Sequence, residues 1–222
     1  MLRVILFDLD GTLMETAPEI ADAVNDTLRR RGHVPAPADL VRSWIGDGAM
    51  ALLGKALAHA GEPAEAVADA WPGFSNDYAE RCGTNSLVHD GVRPMLQRLR
   101  EQGLQQVLLT NKETQFAQRL LARHDLLGDF DMVVAGDTLP VKKPHPGVVQ
   151  HALAALQARP EEALLVGDST TDVRTARAAG VAVHLVRHGY PQGSLTGADA
   201  PDAFIEHFDH FNPLAATHVA IG

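Results

Sequence analysis

Two carboxylates, Asp8 and Asp10, stand two residues apart at the end of a short apolar run in FDLDGTL, Phe7–Leu13. On an extended chain alternate residues share a face, so both leave on the same side. Open α/β sheets bind their ligands at the carboxyl ends of strands, which is where this pair falls. Neighbouring carboxylates repel each other unless a cation or a shared proton resolves the conflict. A third acid, Asp168, ends the apolar run Ala163–Asp168, and Asp172 follows one helical turn later, so these two can face one point. Thr110-Asn111-Lys112 ends another apolar run; its hydroxyl and a backbone amide suit a phosphoryl oxygen, and equally a helix cap. Two of the chain's four lysines stand together in Lys142-Lys143-Pro144-His145-Pro146, where a solvated basic loop would have no reason for two stiffening prolines.

Four acids and a lysine at one sheet edge describe a site for a hard cation with oxygen ligands, and magnesium fits best. A carboxylate nucleophile activated beside such an ion is a route to an aspartyl-phosphate. A second carboxylate can protonate the leaving alkoxide and then deprotonate water, while lysine and magnesium offset charge on the transferring group. The bland alternative for the first motif is a polar turn, with Gly11 as bend and Thr12 as cap. Two acids at the tip of a buried strand argue against it. The sequence has no G-x-S-x-G, H-E-x-x-H, G-x-G-x-x-G or Gly-Lys-Ser/Thr phosphate loop. His207, His210 and His218 are too loosely spaced for a metal cluster and read as a solvated tail.

The elements that must position these groups follow from pattern. Arg3–Asp8, Gln105–Thr110, Asp131–Ala135, Ala163–Asp168 and Val181–Val186 are nearly continuously apolar, as strands of a parallel sheet covered on both faces are. Helices are expected between the later ones, at Val92–Gln102, Glu113–His124, Pro146–Ala158 and Thr171–Ala179, with Gly103 and Gly180 closing two of them. This is a doubly wound, mainly parallel, Rossmann-like α/β fold. About ninety residues separate the first two strands, far more than one crossover helix needs. That gap reads as helical: Pro18–Arg31 with Thr16 as cap, Ala38–Ile45, Ala49–Ala60, and Pro63–Cys82 broken near Pro72-Gly73. The expected division is an all-helical cap domain, 15–86, inserted into a core of 1–14 and 87–222.

Twenty-eight acidic against 19 basic residues give the 222-residue chain a net charge of −9, which disfavours nucleic acid or an anionic membrane as partner. A single cysteine, Cys82, allows no internal disulfide. The apolar run Val4–Phe7 is too short for a signal peptide and no stretch is long enough to span a bilayer. The expectation is a soluble cytoplasmic protein, monomeric or homodimeric, acting on a small phosphorylated metabolite.

D-x-D-G-T, a later Thr, a Lys-Pro and G-D-S-x-x-D, in that order, resemble the haloacid dehalogenase superfamily over residues 1–190 or so. Within it, WIGDGA (Trp44–Ala49), LTNK (Leu109–Lys112), KKPHP (Lys142–Pro146) and HGYPQG (His188–Gly193) resemble phosphoglycolate phosphatases with a helical cap after the first strand. The resemblance implies Asp8 as nucleophile and Asp10 as general acid/base. It implies that Asp8, the Asp10 carbonyl and Asp168 hold magnesium with Asp172 in support, and that Thr110, Asn111 and Lys143 hold phosphate. Substrate choice is placed in Gly46-Asp47-Gly48, where glycines let the backbone approach a ligand and the next helix offers amides to a small carboxylate. Arg42, Lys55 and Arg81 are the cap cations available to help. Asp47 stands where many relatives have Asn, and its charge would oppose an acidic substrate if it points inward; a mere turn is the alternative. A sugar-phosphate mutase would share every core motif, as would phosphatases for amino-sugar phosphates or pyrophosphate. Dehalogenases need no second aspartate. A receiver-type phospho-acceptor would lack the insertion, and a binding module would not need the full catalytic set.

Overall fold

The computed structural model describes residues 1–190 and 193–214. Strand β1 (Val4–Phe7) is buried at every position and is followed by a two-residue strand, β2 (Met14–Glu15). Four helices come next: α1 (Ala17–Arg30), α2 (Ala38–Arg42), α3 (Ala49–His59) and α4 (Ala66–Arg81). The chain returns through β3 (Leu87–Val88), which pairs antiparallel with β2, Met14 opposite Val88. It then runs α5 (Val92–Glu101), β4 (Gln105–Leu109), α6 (Thr114–Arg123), β5 (Met132–Val134), α7 (Gly147–Ala155), β6 (Ala163–Gly167), α8 (Thr170–Ala179), β7 (Ala182–Val186) and β8 (Ala203–Ile205).

The sheet order is β5-β4-β1-β6-β7-β8, with every pair parallel. Phe7 is level with Leu108 on one side and Val166 on the other, so Asp8, Thr110 and Asp168 emerge from three adjacent strand tips. Along β1 the side chains alternate between two apolar layers. Ile5 and Phe7 pack with α5 and α6 residues such as Met95, Leu96 and Phe116, whereas Val4 and Leu6 pack with Val149, Ala152, Val173 and Ala176 of α7 and α8. The doubly wound expectation is met. No helix among the described residues is long and apolar enough to cross a membrane.

The first apolar layer does not stop at the sheet. It continues through Phe116 and Tyr78, whose rings lie 4.6 Å apart, into Leu53, Phe74 and Leu28 of the helical insertion. This explains why α4 runs unbroken through Pro72, contrary to the sequence expectation. A proline inside a helix costs about 3 kcal/mol, but Ala70, Phe74 and Tyr78 form a buried stripe at four-residue spacing. Burying two large aromatic side chains contributes on the order of 1.5–3 kcal/mol each, which outweighs that cost. Gly73 leaves room for the Arg30 guanidinium, which pairs with Asp77 across α1 and α4. The sequence pattern also missed β2, β3 and β8. Two or three residues are too few to show a period, and in β8 only Ile205 is buried.

Phe116 is fully buried where α6 meets the insertion. Phe116→Ala should therefore cost about 3–5 kcal/mol, read as a lower urea midpoint; an unchanged midpoint would contradict this packing.

Candidate active site

The β1 tip places Asp8 by a backbone bond, Asp8 N–H to Val166 O at 2.9 Å. The loop after β5 then brings Lys143 between two anions, with Nζ 2.8 Å from Asp8 Oδ1 and 2.7 Å from Asp172 Oδ1. Asp172 is fully buried and doubly engaged. Its Oδ2 accepts from the Asp168 and Ser169 amides at 3.2 and 3.1 Å and from Ser169 Oγ at 2.8 Å, closing a capping box on α8. Asp168 Oδ2 accepts from the Tyr190 amide at 2.6 Å. Gly11, at φ +82°, makes the turn after the Asp pair, and a Cβ there would collide with Asp168 Oδ2 and the Tyr190 ring.

Asp8, Asp168 and Asp172 each offer an oxygen within 4.8 Å of the others, the one such group of potential metal ligands among the described residues. Burial pushes the Asp8 carboxyl up to about 6, opposed by Lys143 and reinforced by Asp172. Burial, with Asp172 and Asp8 alongside, holds Asp168 well above the usual carboxylate range. Burial alone would lower the Lys143 ammonium, but Asp172 and Asp8 hold it above its ordinary value. Crowded carboxylates with raised proton affinity and hard oxygen donors fit a divalent cation. His207 and His210 only stack edge to face, 6.4 Å apart, and His218 lies outside the described residues, as do Pro191 and Gln192 of HGYPQG.

The Asp10 carboxylate has partners of its own. Oδ1 accepts from Thr16 Oγ1 at 2.6 Å, and Lys112 Nζ lies 2.8 and 2.9 Å from the two oxygens. Thr16 therefore does not cap α1 with its side chain, as the sequence suggested, because its hydroxyl holds Asp10. The amides of Thr16 and Ala17 donate instead to Tyr190 Oη at 2.8 and 3.0 Å. Lys112 is buried and lies 5.0 Å over the Tyr78 ring of α4. Sequence reasoning gave Lys112, Thr16 and Tyr190 no place in the site, although it named Thr16 as a cap. The available signals were the scarcity of lysine, the six-residue spacing from Asp10 to Thr16, and the place of Tyr190 inside HGYPQG.

Thr110 is set by its own amide on Val134 O, and its Oγ1 accepts from the Lys112 amide at 3.2 Å. The Asn111 side chain is occupied elsewhere: Oδ1 accepts from the Lys143 amide, and Nδ2 donates to Lys143 O and to Gly46 O at 2.9 Å. It is thus a bridge between two core loops and the insertion, and a phosphate contact would come from its backbone.

The Gly46–Ala49 loop is bound to the core at three points. Besides Asn111, Lys142 donates to Asp47 O, and Glu113 Oε1 accepts from the Ala49 amide at 3.2 Å. The first amide of α3 expected to receive a substrate carboxylate is therefore engaged by a protein carboxylate. Gly48, at φ +89°, serves close approach, but to the core: a Cβ would lie 3.0 Å from Asn111 O and 3.1 Å from Lys142 Nζ. Asp47 turns to the insertion's own Lys55, with which it pairs at 2.8 Å. Arg42 pairs with Glu15 at 2.9 Å and stacks 4.4 Å from the Tyr190 ring, while Arg81 pairs with Asp26 and Asp22 of α1. Between these walls a cavity is lined by Asp8, Asp10, Thr110, Lys112 and Glu113 from the core and by Ile20, Ile45, Leu52, Phe74 and Tyr78 from the insertion.

The haloacid dehalogenase-like hydrolase family model matches residues 2–180. A phosphoglycolate phosphatase from Pseudomonas putida is 38% identical over 92% of this chain and 76% of its own. One from Nitrosospira multiformis is 38% identical over 86% of each chain. A crystal structure of a predicted phosphoglycolate phosphatase from Haemophilus somnus superposes with a TM-score of 0.84 at 29% identity, over 94% of this chain and 95% of its own.

Two outcomes follow from this geometry. A proton held at Asp8 up to about pH 6 competes with a cation, so magnesium should raise the melting temperature little near pH 5 and more near pH 7.5; a shift independent of pH would contradict cation binding at this trio. Asp47→Asn removes only a half-exposed pair, worth on the order of 0.2–1 kcal/mol, so kcat/KM for a carboxylated phosphate ester should change less than about fivefold.

Proposed function

The chain belongs to the haloacid dehalogenase-like hydrolases, and on that premise we propose that it is a magnesium-dependent phosphoric monoester hydrolase with 2-phosphoglycolate as its substrate, yielding glycolate and phosphate. The helices between β2 and β3 serve as a cap, residues 15–86, over a core of 1–14 and 87–222. The observation that carries the reading is the Asp8 carboxylate held 2.8 Å from Lys143 at the meeting of three strand tips. The phosphatase relatives support the reaction class, and their names support the substrate.

In this reading Asp8 attacks phosphorus, forming a P–O bond to its carboxylate as the ester bond to the leaving oxygen breaks. Lys143 and the Thr110 hydroxyl, with the Asn111 amide, hold the phosphoryl oxygens and offset their charge. Asp10, steadied by Thr16, gives a proton to the leaving alkoxide and then takes one from the water that cleaves the aspartyl-phosphate. Asp8, Asp168 and the Asp10 carbonyl would hold magnesium, with Asp172 in support by fixing Lys143 and the Asp168 backbone. Bound there, magnesium would supply positive charge to offset that of the phosphoryl group. The cap loop Gly46-Asp47-Gly48 closes the site by its bonds to Asn111 and Lys142, so its effect on substrate choice is through closure.

The protein is expected to release phosphate from 2-phosphoglycolate with magnesium and to stop on chelation. Asp8→Asn should lose essentially all turnover, since an amide cannot attack, and Asp10→Asn should fall by roughly 10²–10⁴. Turnover retained in Asp8→Asn or in chelator would sink the assignment.

A further inference from the structure

The cavity between core and insertion must take the leaving group of any substrate whose phosphorus meets Asp8. Its lining from the insertion is apolar at Ile20, Ile45, Leu52 and Phe74, and Tyr78 adds a buried hydroxyl. A carboxylate brought against such a wall loses water and needs a charged partner. Among the described lining residues Lys112 is the only base, and Glu113 adds a further acid with Oε2 buried and unpartnered. The other cations do not line the cavity. Lys55 is tied to Asp47, Arg42 to Glu15 and Arg81 to Asp26, and Lys143 lies between Asp8 and Asp172.

We infer that Lys112 is the specificity residue of this site, receiving the carboxylate that a substrate carries next to its phosphate ester. The inference rests on the phosphatase reading. Lys112 Nζ already sits 2.8 Å from the carboxylate that would serve the leaving oxygen, and in 2-phosphoglycolate the substrate carboxylate is one carbon away from that oxygen. Three N–H donors on one ammonium can serve Asp10 and a second carboxylate together. Asp10 keeps its Thr16 bond at 2.6 Å while Lys112 turns, so the exchange leaves the acid/base group positioned. The Tyr78 ring, 5.0 Å below, supports the ammonium in either arrangement. Burial of Lys112 keeps water from screening the new pair, which makes its loss expensive.

The test compares 2-phosphoglycolate with 2-hydroxyethyl phosphate, which replaces the carboxylate by a neutral group of similar size, on the full chain with magnesium. Lys112→Met lowers kcat on both esters because Asp10 loses a bond, and that common factor cancels in the ratio of the two kcat/KM values. The ratio should fall roughly 10- to 100-fold, the size of a lost charged hydrogen bond, mainly through a higher KM for 2-phosphoglycolate. Lys112→Arg should restore part of it. If Lys112→Met does not fold, Lys112→Gln, whose amide can still bond Asp10, is read in the same way. Equal losses on both esters would make Lys112 a support for Asp10 alone and overturn the inference without touching the phosphatase reading. Wild-type turnover of the neutral ester but not of 2-phosphoglycolate would overturn both the substrate and the role of Lys112. No turnover of either would overturn the phosphatase reading and the inference with it.

Discussion

A single ammonium makes the strand-tip site possible. Asp8, Asp168 and Asp172 are buried within reach of one another, and three such anions would be intolerable in an apolar setting. Lys143 bonds two of them directly. Asp172 then fixes the Asp168 and Ser169 amides, and so the start of α8. Burial, with the neighbouring carboxylates alongside, keeps the proton affinities of Asp8 and Asp168 raised even so. Crowded carboxylates with fixed oxygen donors are what a hard cation needs.

A second lysine divides the labour. Lys112 pairs with Asp10 as Lys143 pairs with Asp8, so that two carboxylates separated by one residue rest on different cations. One is set beside Lys143 and the other beside the insertion. Such separation of environments is how paired acids come to take different roles. The insertion in turn is aligned by groups from the core, Asn111, Glu113 and Lys142, rather than by its own loop chemistry.

The parallel sheet and the core acids were legible in the sequence because each rests on a local signal. Apolar runs of three to five residues ended in Asp8, Thr110 and Asp168, and the carboxyl end of a strand is a position that sequence order alone can assign. The helical insertion was legible from length and periodicity. What sequence could not supply was the pairing of distant charges. Asp47 read as a possible opponent of an acidic substrate, and only its 2.8 Å contact with Lys55 shows that its charge is already met. The α3 N-terminus read as an open anion site until Glu113, 64 residues away, was placed on it. Thr16 read as a helix cap because capping is a local rule, whereas its bond to Asp10 depends on the turn at Gly11. Pro72 read as a break because the propensity rule is local too, whereas the stripe that overrides it faces α1 and α6.

The apolar layer that runs unbroken from the sheet into the insertion has a thermal consequence. Lifting α4 from α6 parts the Tyr78 and Phe116 rings and wets both. Exposing aromatic and aliphatic surface carries a positive heat-capacity change, so the free energy of such an opening curves with temperature. Apolar contacts weaken on cooling, and the insertion therefore parts from the sheet more readily in the cold than a purely electrostatic hinge would. A turnover limited by that motion would show a bent Arrhenius plot, with the bend set by how much of this shared layer each cycle exposes.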